Sequence, residues 1–154
     1  MTQTIGVISD THGLLRPQAV TALQGASLII HAGDVGNADI LSSLRQIAPV
    51  IAVRGNIDKQ PWAVALPQTE IVKVGGRVLY VLHSLDDLDL DPSTSGFHAV
   101  ITGHSHQPKI ETVDGVLYFN PGSAGPRRFT LPISVGRLIV SDKDLVAEII
   151  ELQG

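Results

Sequence analysis

The chain has 154 residues, 44% of them hydrophobic, with 15 Asp and Glu against 11 Lys and Arg and a formal net charge of -4. That length suits a single domain over residues 1–154 with a sizeable core, and the acidic balance speaks against long nucleic acid, whose binders carry a basic patch or stripe. There is no cysteine, so disulfides, thiolate metal knots and thiolate catalysis are excluded.

The N-terminus has no basic stretch, and the apolar run Ile5 to Ile8 is too short for a signal peptide. No run approaches the ~20 apolar residues of a membrane span. The expectation is a cytoplasmic protein with no membrane contact. Short β-branched runs follow in order at Thr4–Ser9, Leu28–Ala32, Val50–Val53, Val78–Leu82 and His98–Thr102. Between the first three lie two helical segments. Arg16 to Leu23 opens with Pro17, and Ala38 to Ile47 has Ile40, Leu41, Leu44 and Ile47 at helical spacing before Pro49. Strands and helices alternating in this way predict βαβ units. Further on, Glu70–Val74 and Arg77–Leu82 flank Gly75-Gly76, while Lys109–Val113 and Val116–Asn120 flank Asp114-Gly115, both of them tight hairpin turns. Ile133–Val140 and Leu145–Glu151 read as a last strand pair. The prediction is two packed sheets of one domain, flanked by helices.

Metal-competent residues follow the apolar runs: Asp10-Thr11-His12, Gly33-Asp34, Gly55-Asn56, His83 and Gly103-His104-Ser105-His106. In open α/β sheets the C-terminal strand edge is where ligands bind, so residues far apart in sequence are expected to converge on one crevice. Alternation in Asp10-x-His12 is expected to aim both side chains at one ion, and the glycines before Asp34, Asn56 and His104 to let the backbone turn under a cation. Each fragment alone is commonplace in turns; five strand ends with such residues are not.

The ordered set Asp10-x-His12, Gly33-Asp34, Gly55-Asn56-x-Asp58, His83 and Gly103-His-x-His106 resembles the calcineurin-like metallophosphoesterases, in particular small single-domain bacterial and archaeal phosphodiesterases. Asn120-Pro-Gly-Ser123 looks like that subgroup's segment after the last hairpin. The resemblance implies an α/β four-layer sandwich, two mixed β-sheets packed face to face and flanked by α-helices. It implies two divalent metal ions, one on Asp10, His12 and His106, the other on Asn56, His83 and His104, with Asp34 shared between them. A hydroxide bridging the ions would attack a small phosphate ester, so that Asp34, Asn56 and His104 act catalytically through it. Donors limited to Asp, Asn and His suit Mn, Fe, Co, Ni or Zn better than Mg or Ca, and the family points to Mn.

Where many relatives have His after the Gly-Asn, this chain has Ile57, so no general acid is expected there and esters with good leaving groups are favoured. Ser84 stands where a glycine is usual. Asp58 is expected to orient backbone around the ligands, His31 to be a buried supporting histidine, and His98 to be structural. The four aspartates between Ser84 and Asp91 read as a solvated loop. Arg127 and Arg128 read equally well as phosphate contacts at the rim or as a solvated pair. Trp62 reads as a substrate-side aromatic or an interface anchor. A competing reading is a non-catalytic scaffold, since a retromer subunit of this fold acts by binding partner proteins; the complete ligand set favours catalysis. Closed homo-oligomers are common enough for one to be an expectation here.

Overall fold

The computed structural model describes residues 2–152. β1 (Gln3–Ile8), β2 (Leu28–His31) and β3 (Val50–Ala52) run parallel and are joined by α1 (Pro17–Leu23) and α2 (Ala38–Arg45). β4 (Thr69–Val74) and β5 (Arg77–Leu82) form a hairpin, β6 (Ala99–Ile101) follows, and β7 (Lys109–Val113) and β8 (Val116–Asn120) form a second hairpin. β9 (Ser134–Val140) and β10 (Leu145–Glu151) return to the first sheet. The strand orders are β10-β9-β1-β2-β3 and β4-β5-β6-β8-β7, each five-stranded and mixed.

Period-two alternation explains the packing. Ile5 and Val7 of β1, Leu79 and Val81 of β5, and Leu117 and Phe119 of β8 point into a core shared by the two sheets. Fully burying one such side chain is worth about 1.5–3 kcal/mol before entropy is charged against it. The opposite face of the first sheet meets Ala19 and Leu23 of α1 and Ile40, Leu41 and Leu44 of α2. Asn37 caps α2 by accepting from the Ile40 N–H at 3.3 Å, while Asp39 and Arg45 complement the helix dipole. The helix stops at Arg45 rather than Ile47. Ile47 N–H reaches back three residues to Leu44 O at 2.9 Å, because Pro49 disfavours helical backbone at Ala48.

Both hairpin turns are as predicted, with positive φ at Gly75, Gly76, Asp114 and Gly115. The outer face of the second sheet is covered by residues 84–97, which contain a single 3-10 turn, Leu85–Asp87. Leu88, Leu90 and Phe97 pack there on Tyr80, Leu82, Val100 and Val116, with Phe97 stacked on Tyr80 at 4.8 Å. Repeated Asp and the interruptions of Pro92 and Gly96 keep this cover from becoming an α-helix. Trp62 packs half-buried on the helix-side core. No helix among the described residues is long and apolar enough to cross a membrane.

Candidate metal centre

Parallel register brings the strand ends together. Ile8 pairs with His31 and His31 with Ala52, so Asp10, Asp34 and Asn56 leave one edge of the first sheet side by side. In the second sheet, Val81 pairs with Ile101 and Ile101 with Phe119, which aligns His83, Gly103-His104 and Asn120. Two hydrogen bonds join the edges across the core: His104 N–H to Asp10 Oδ2 at 3.0 Å, and His83 Nδ1–H to Ala32 O at 2.8 Å.

The ligand candidates fall into two trios. Asp10, His12 and His106 form one and Asp34, His83 and His104 the other, with the ligand atoms of each trio all within 4.8 Å of one another. Asp10 Oδ1 lies 3.4 Å from His106 Nε2 and 3.8 Å from both His12 Nε2 and His83 Nε2. Asp34 Oδ2 lies 3.2 Å from His83 Nε2 and 3.6 Å from His12 Nε2, so it faces a histidine of each trio. Asp10 Oδ1, His12 Nε2 and His83 Nε2 are buried yet have no hydrogen-bond partner among the described residues. Buried polar atoms are almost always satisfied, so three that converge mark where cations fit. The outward bonds agree: His83 donates from Nδ1 and so presents Nε2 to the cluster, while Asp34 Oδ1 accepts from Ile57 N–H at 3.0 Å, leaving Oδ2 facing inward. Asn56 lies at the wall of a recess shared with His83.

The backbone is held where side chains rarely go. Asp10, His12, Asp34, His104 and His106 have φ of 55°, 48°, 57°, 71° and 62°. Such conformations cost about 1–3 kcal/mol each and persist only where surrounding bonds impose them. This corrects the expected strand alternation at Asp10-x-His12: β1 ends at Ile8, and a tight left-handed turn aims the two side chains. The turn is imposed by Asp10 N–H to Gly33 O at 3.0 Å and His12 N–H to Asp34 O at 2.9 Å. Gly55 and Gly103 are needed for space rather than for conformation. A Cβ on Gly55 would overlap the Asp34 backbone nitrogen and Oδ1, and one on Gly103 would overlap Ser9 Oγ.

Several residues support the cluster. Asp58 carries out the expected backbone role, accepting from the N–H groups of Gly55 at 2.9 Å, Val35 at 3.1 Å and Gly36 at 3.2 Å. His31 is fully buried. Its Nδ1 accepts from Gly33 N–H at 3.1 Å, which leaves Nε2–H to donate to Thr11 Oγ1 at 3.0 Å, and the Thr11 hydroxyl in turn donates to Val35 O at 2.7 Å. One neutral imidazole thus ties the Asp10–His12 turn to the Gly33-Asp34 turn. His98 is structural, accepting from Val78 N–H at 2.9 Å. Ser84 has extended backbone and caps the Leu85–Asp87 turn, so no glycine conformation is called for.

Four supporting residues had no individual role in the sequence reading. Ser9 donates to Asp10 Oδ2 at 2.6 Å, and Thr11 anchors His31. Asn120 donates to Gly103 O at 3.0 Å and Ser105 Oγ at 3.1 Å, and Ser123 donates to Asp10 O at 3.1 Å. For the last two, the Asn120–Ser123 motif was the available signal.

Burial pushes the Asp10 carboxyl up, but His106, His12, His83 and Ser9 outweigh it and hold it well below the usual carboxylate range. Burial likewise opposes ionisation of Asp34, which His83 and the Ile57 N–H reverse. The Asp10 carboxylate raises His12; burial disfavours the His83 cation, but Asp34 and Asp10 raise it on balance. Two buried anions side by side call for positive charge. Protonated imidazoles can supply it, and a divalent ion would displace those protons.

Residues 4–143 match the calcineurin-like phosphoesterase superfamily domain. A "Probable metallophosphoesterase" of Methanocaldococcus jannaschii is 39% identical over 165 residues, covering 99% of this chain and 83% of that one. A phosphodiesterase of the same organism is 27% identical over 137 residues, covering 77% of this chain and 82% of its own. The crystal structure of Chaetomium thermophilum Vps29 superposes with a TM-score of 0.80 at 19% identity, covering 96% of this chain and 97% of that one, a likeness of fold. With two sheets of the implied kind, clustered Asp and His residues and a family match over most of its length, the chain belongs to the calcineurin-like phosphoesterase superfamily.

Proposed function

We propose that the protein is a binuclear metal-dependent phosphodiesterase acting on small esters with good leaving groups. The observation that carries this reading is the convergence of three buried ligand atoms, Asp10 Oδ1, His12 Nε2 and His83 Nε2, that have no hydrogen bond among the described residues, between the two trios. Asp10, His12 and His106 would hold one divalent ion, His83, His104 and Asn56 the other, and Asp34 both. Bound there, such ions lower the pKa of a shared water toward neutrality and neutralise charge on the phosphate. Mn²⁺ is the proposed ion, by family resemblance, with Zn, Fe, Co or Ni as alternatives that the same donors accept.

The chain's own contribution is positioning. Asp34 is fixed by Ile57 N–H, the His83 ring by Ala32 O, and Asp10 by Ser9 and His104 N–H, so the ligand geometry exists before substrate arrives. Ile57, partly exposed at the rim, offers no proton to a departing alkoxide. A missing general acid typically costs about 10²–10⁴-fold on poor leaving groups, hence the preference for acidic ones. The 27%-identical phosphodiesterase supports diester chemistry.

The likeness to Vps29 favours one alternative, a scaffold that binds partners without turnover. The deciding experiment assays a bis-aryl phosphodiester beside the aryl monoester, using metal-stripped protein with and without Mn²⁺, for wild type and His104→Ala. The reading expects metal-dependent turnover, greater on the diester and lost in the variant. A folded, metal-binding protein with no turnover under any divalent ion would favour the scaffold.

A further inference from the structure

Three recesses open off the ligand cluster, and their charges differ. The one beside His104, about 450 Å³, presents Leu85, Pro108, Tyr118 and Ser105; its only lysine, Lys109, is already paired with Glu111 at 2.8 Å, and Asp86 lies at its wall. The one beside Asn56 and His83 sets Arg54 among Asp87 and Asp89. The third, about 180 Å³, is walled by His12, His106, Pro126, Arg127 and Arg128, with no carboxylate.

The two guanidiniums of the third recess have little else to do. Arg127 gives one long hydrogen bond to Leu131 O at 3.5 Å, and among the described residues the Arg128 guanidinium has neither ion pair nor hydrogen bond, although the Arg128 backbone carbonyl accepts from Leu131 N–H at 3.1 Å. Arg128 is nonetheless near enough to His12 to oppose the rise in basicity that Asp10 causes there. A pair of forked cations beside metal ligands, in a chain of net charge -4, is matched by a doubly bonded oxyanion. The recess is smaller than the ~300–1,000 Å³ that encloses drug-sized ligands, which suits a compact tetrahedral group.

We propose that Arg127 and Arg128 form a subsite for a second anionic group of the substrate, so that the preferred ester carries a phosphate on one arm besides the scissile phosphate. This rests on the phosphodiesterase reading and adds a polarity to it. The charged arm lies on the arginine side of the metal ligands, away from Asp86, Asp87 and Asp89. The neutral arm faces the apolar and hydroxyl-lined recess beside His104.

The test uses two esters with the same leaving group: the p-nitrophenyl ester of thymidine 5′-monophosphate, with and without a 3′-phosphate, on Mn²⁺-loaded protein. Charge-assisted pairing of this kind predicts about a tenfold higher kcat/KM for the 3′-phosphorylated ester, chiefly through KM. Arg128→Met and the Arg127→Met/Arg128→Met pair should remove most of that advantage, and Arg128→Lys should keep part of it. Calorimetry with thymidine 3′,5′-bisphosphate against the 5′-monophosphate reads the same preference without turnover. Equal kcat/KM for the two esters in wild type, or variants that lose equally on both, would overturn the subsite. Tighter bisphosphate binding that depends on the arginines, with neither ester hydrolysed, would sustain it while removing the phosphodiesterase reading.

Discussion

Asp34→Asn should lower kcat/KM on the bis-aryl phosphodiester by about 10³-fold, roughly 4 kcal/mol of transition-state stabilisation, and should cost the protein at least one bound metal ion. The substitution is nearly isosteric, and Asn keeps an oxygen to accept from Ile57 N–H, so the turn after Gly33 is preserved. What disappears is the charge on the carboxylate whose Oδ2 faces His12 of one trio and His83 of the other. Two cations held close together repel, and a shared anion is what offsets that repulsion. Elemental analysis after gel filtration, beside the turnover assay, reads both effects. Full activity with both ions retained would make the shared assignment wrong.

Acid should destabilise the metal-stripped protein well before its carboxylates titrate, and His31 is the reason. Burial lowers its pKa from the ordinary 6.5 to about 4 in the folded state. Between those values the unfolded chain takes up a proton that the folded protein refuses, so stability falls as pH falls through that window and levels off below it. From pH 6 to 4.5 the loss is about 2 kcal/mol, or about 4–8 °C in Tm for a chain of this size. The other shifted groups add little there. His12 and His83 are raised, so their contribution is in place below 6.5 and lost above it; Asp10 and Asp34 are lowered, so theirs is lost only near and below 3.8. Denaturation at the two pH values measures the slope, which His31→Gln should flatten. An unchanged slope in that variant would show that the buried imidazole is not its source.

Strand and helix positions were legible in the sequence because each face repeats at the period of its element, as in Leu79 and Val81 inward against Tyr80 and Leu82 outward. The ligand candidates were legible because a strand end is a fixed place in such a sheet, and both trios combine residues grouped together from the sequence. Local pattern could not convey how the backbone holds them. Nothing in Asp10-Thr11-His12 announces left-handed φ at both Asp10 and His12, since the bonds that impose it come from Gly33 and Asp34, more than 20 residues away. Gly55 and Gly103 look in the sequence like turn residues, whereas their constraint is the approach of Asp34 and Ser9 from other strands. Ser84, in place of the family's usual glycine, caps the turn that follows it, and Trp62 packs against the helix-side core. For the Asp10–His12 turn and for both glycines the deciding neighbour is distant in sequence.

The count of divalent ions bound per chain bears most directly on the proposed centre. Metal-stripped protein titrated with Mn²⁺ by calorimetry, and checked by elemental analysis, should saturate at two ions per chain with release of protons as the imidazoles give up theirs. His106→Ala should leave the ion of the other trio bound. Saturation at a single ion in the wild type, or none, would contradict the binuclear account.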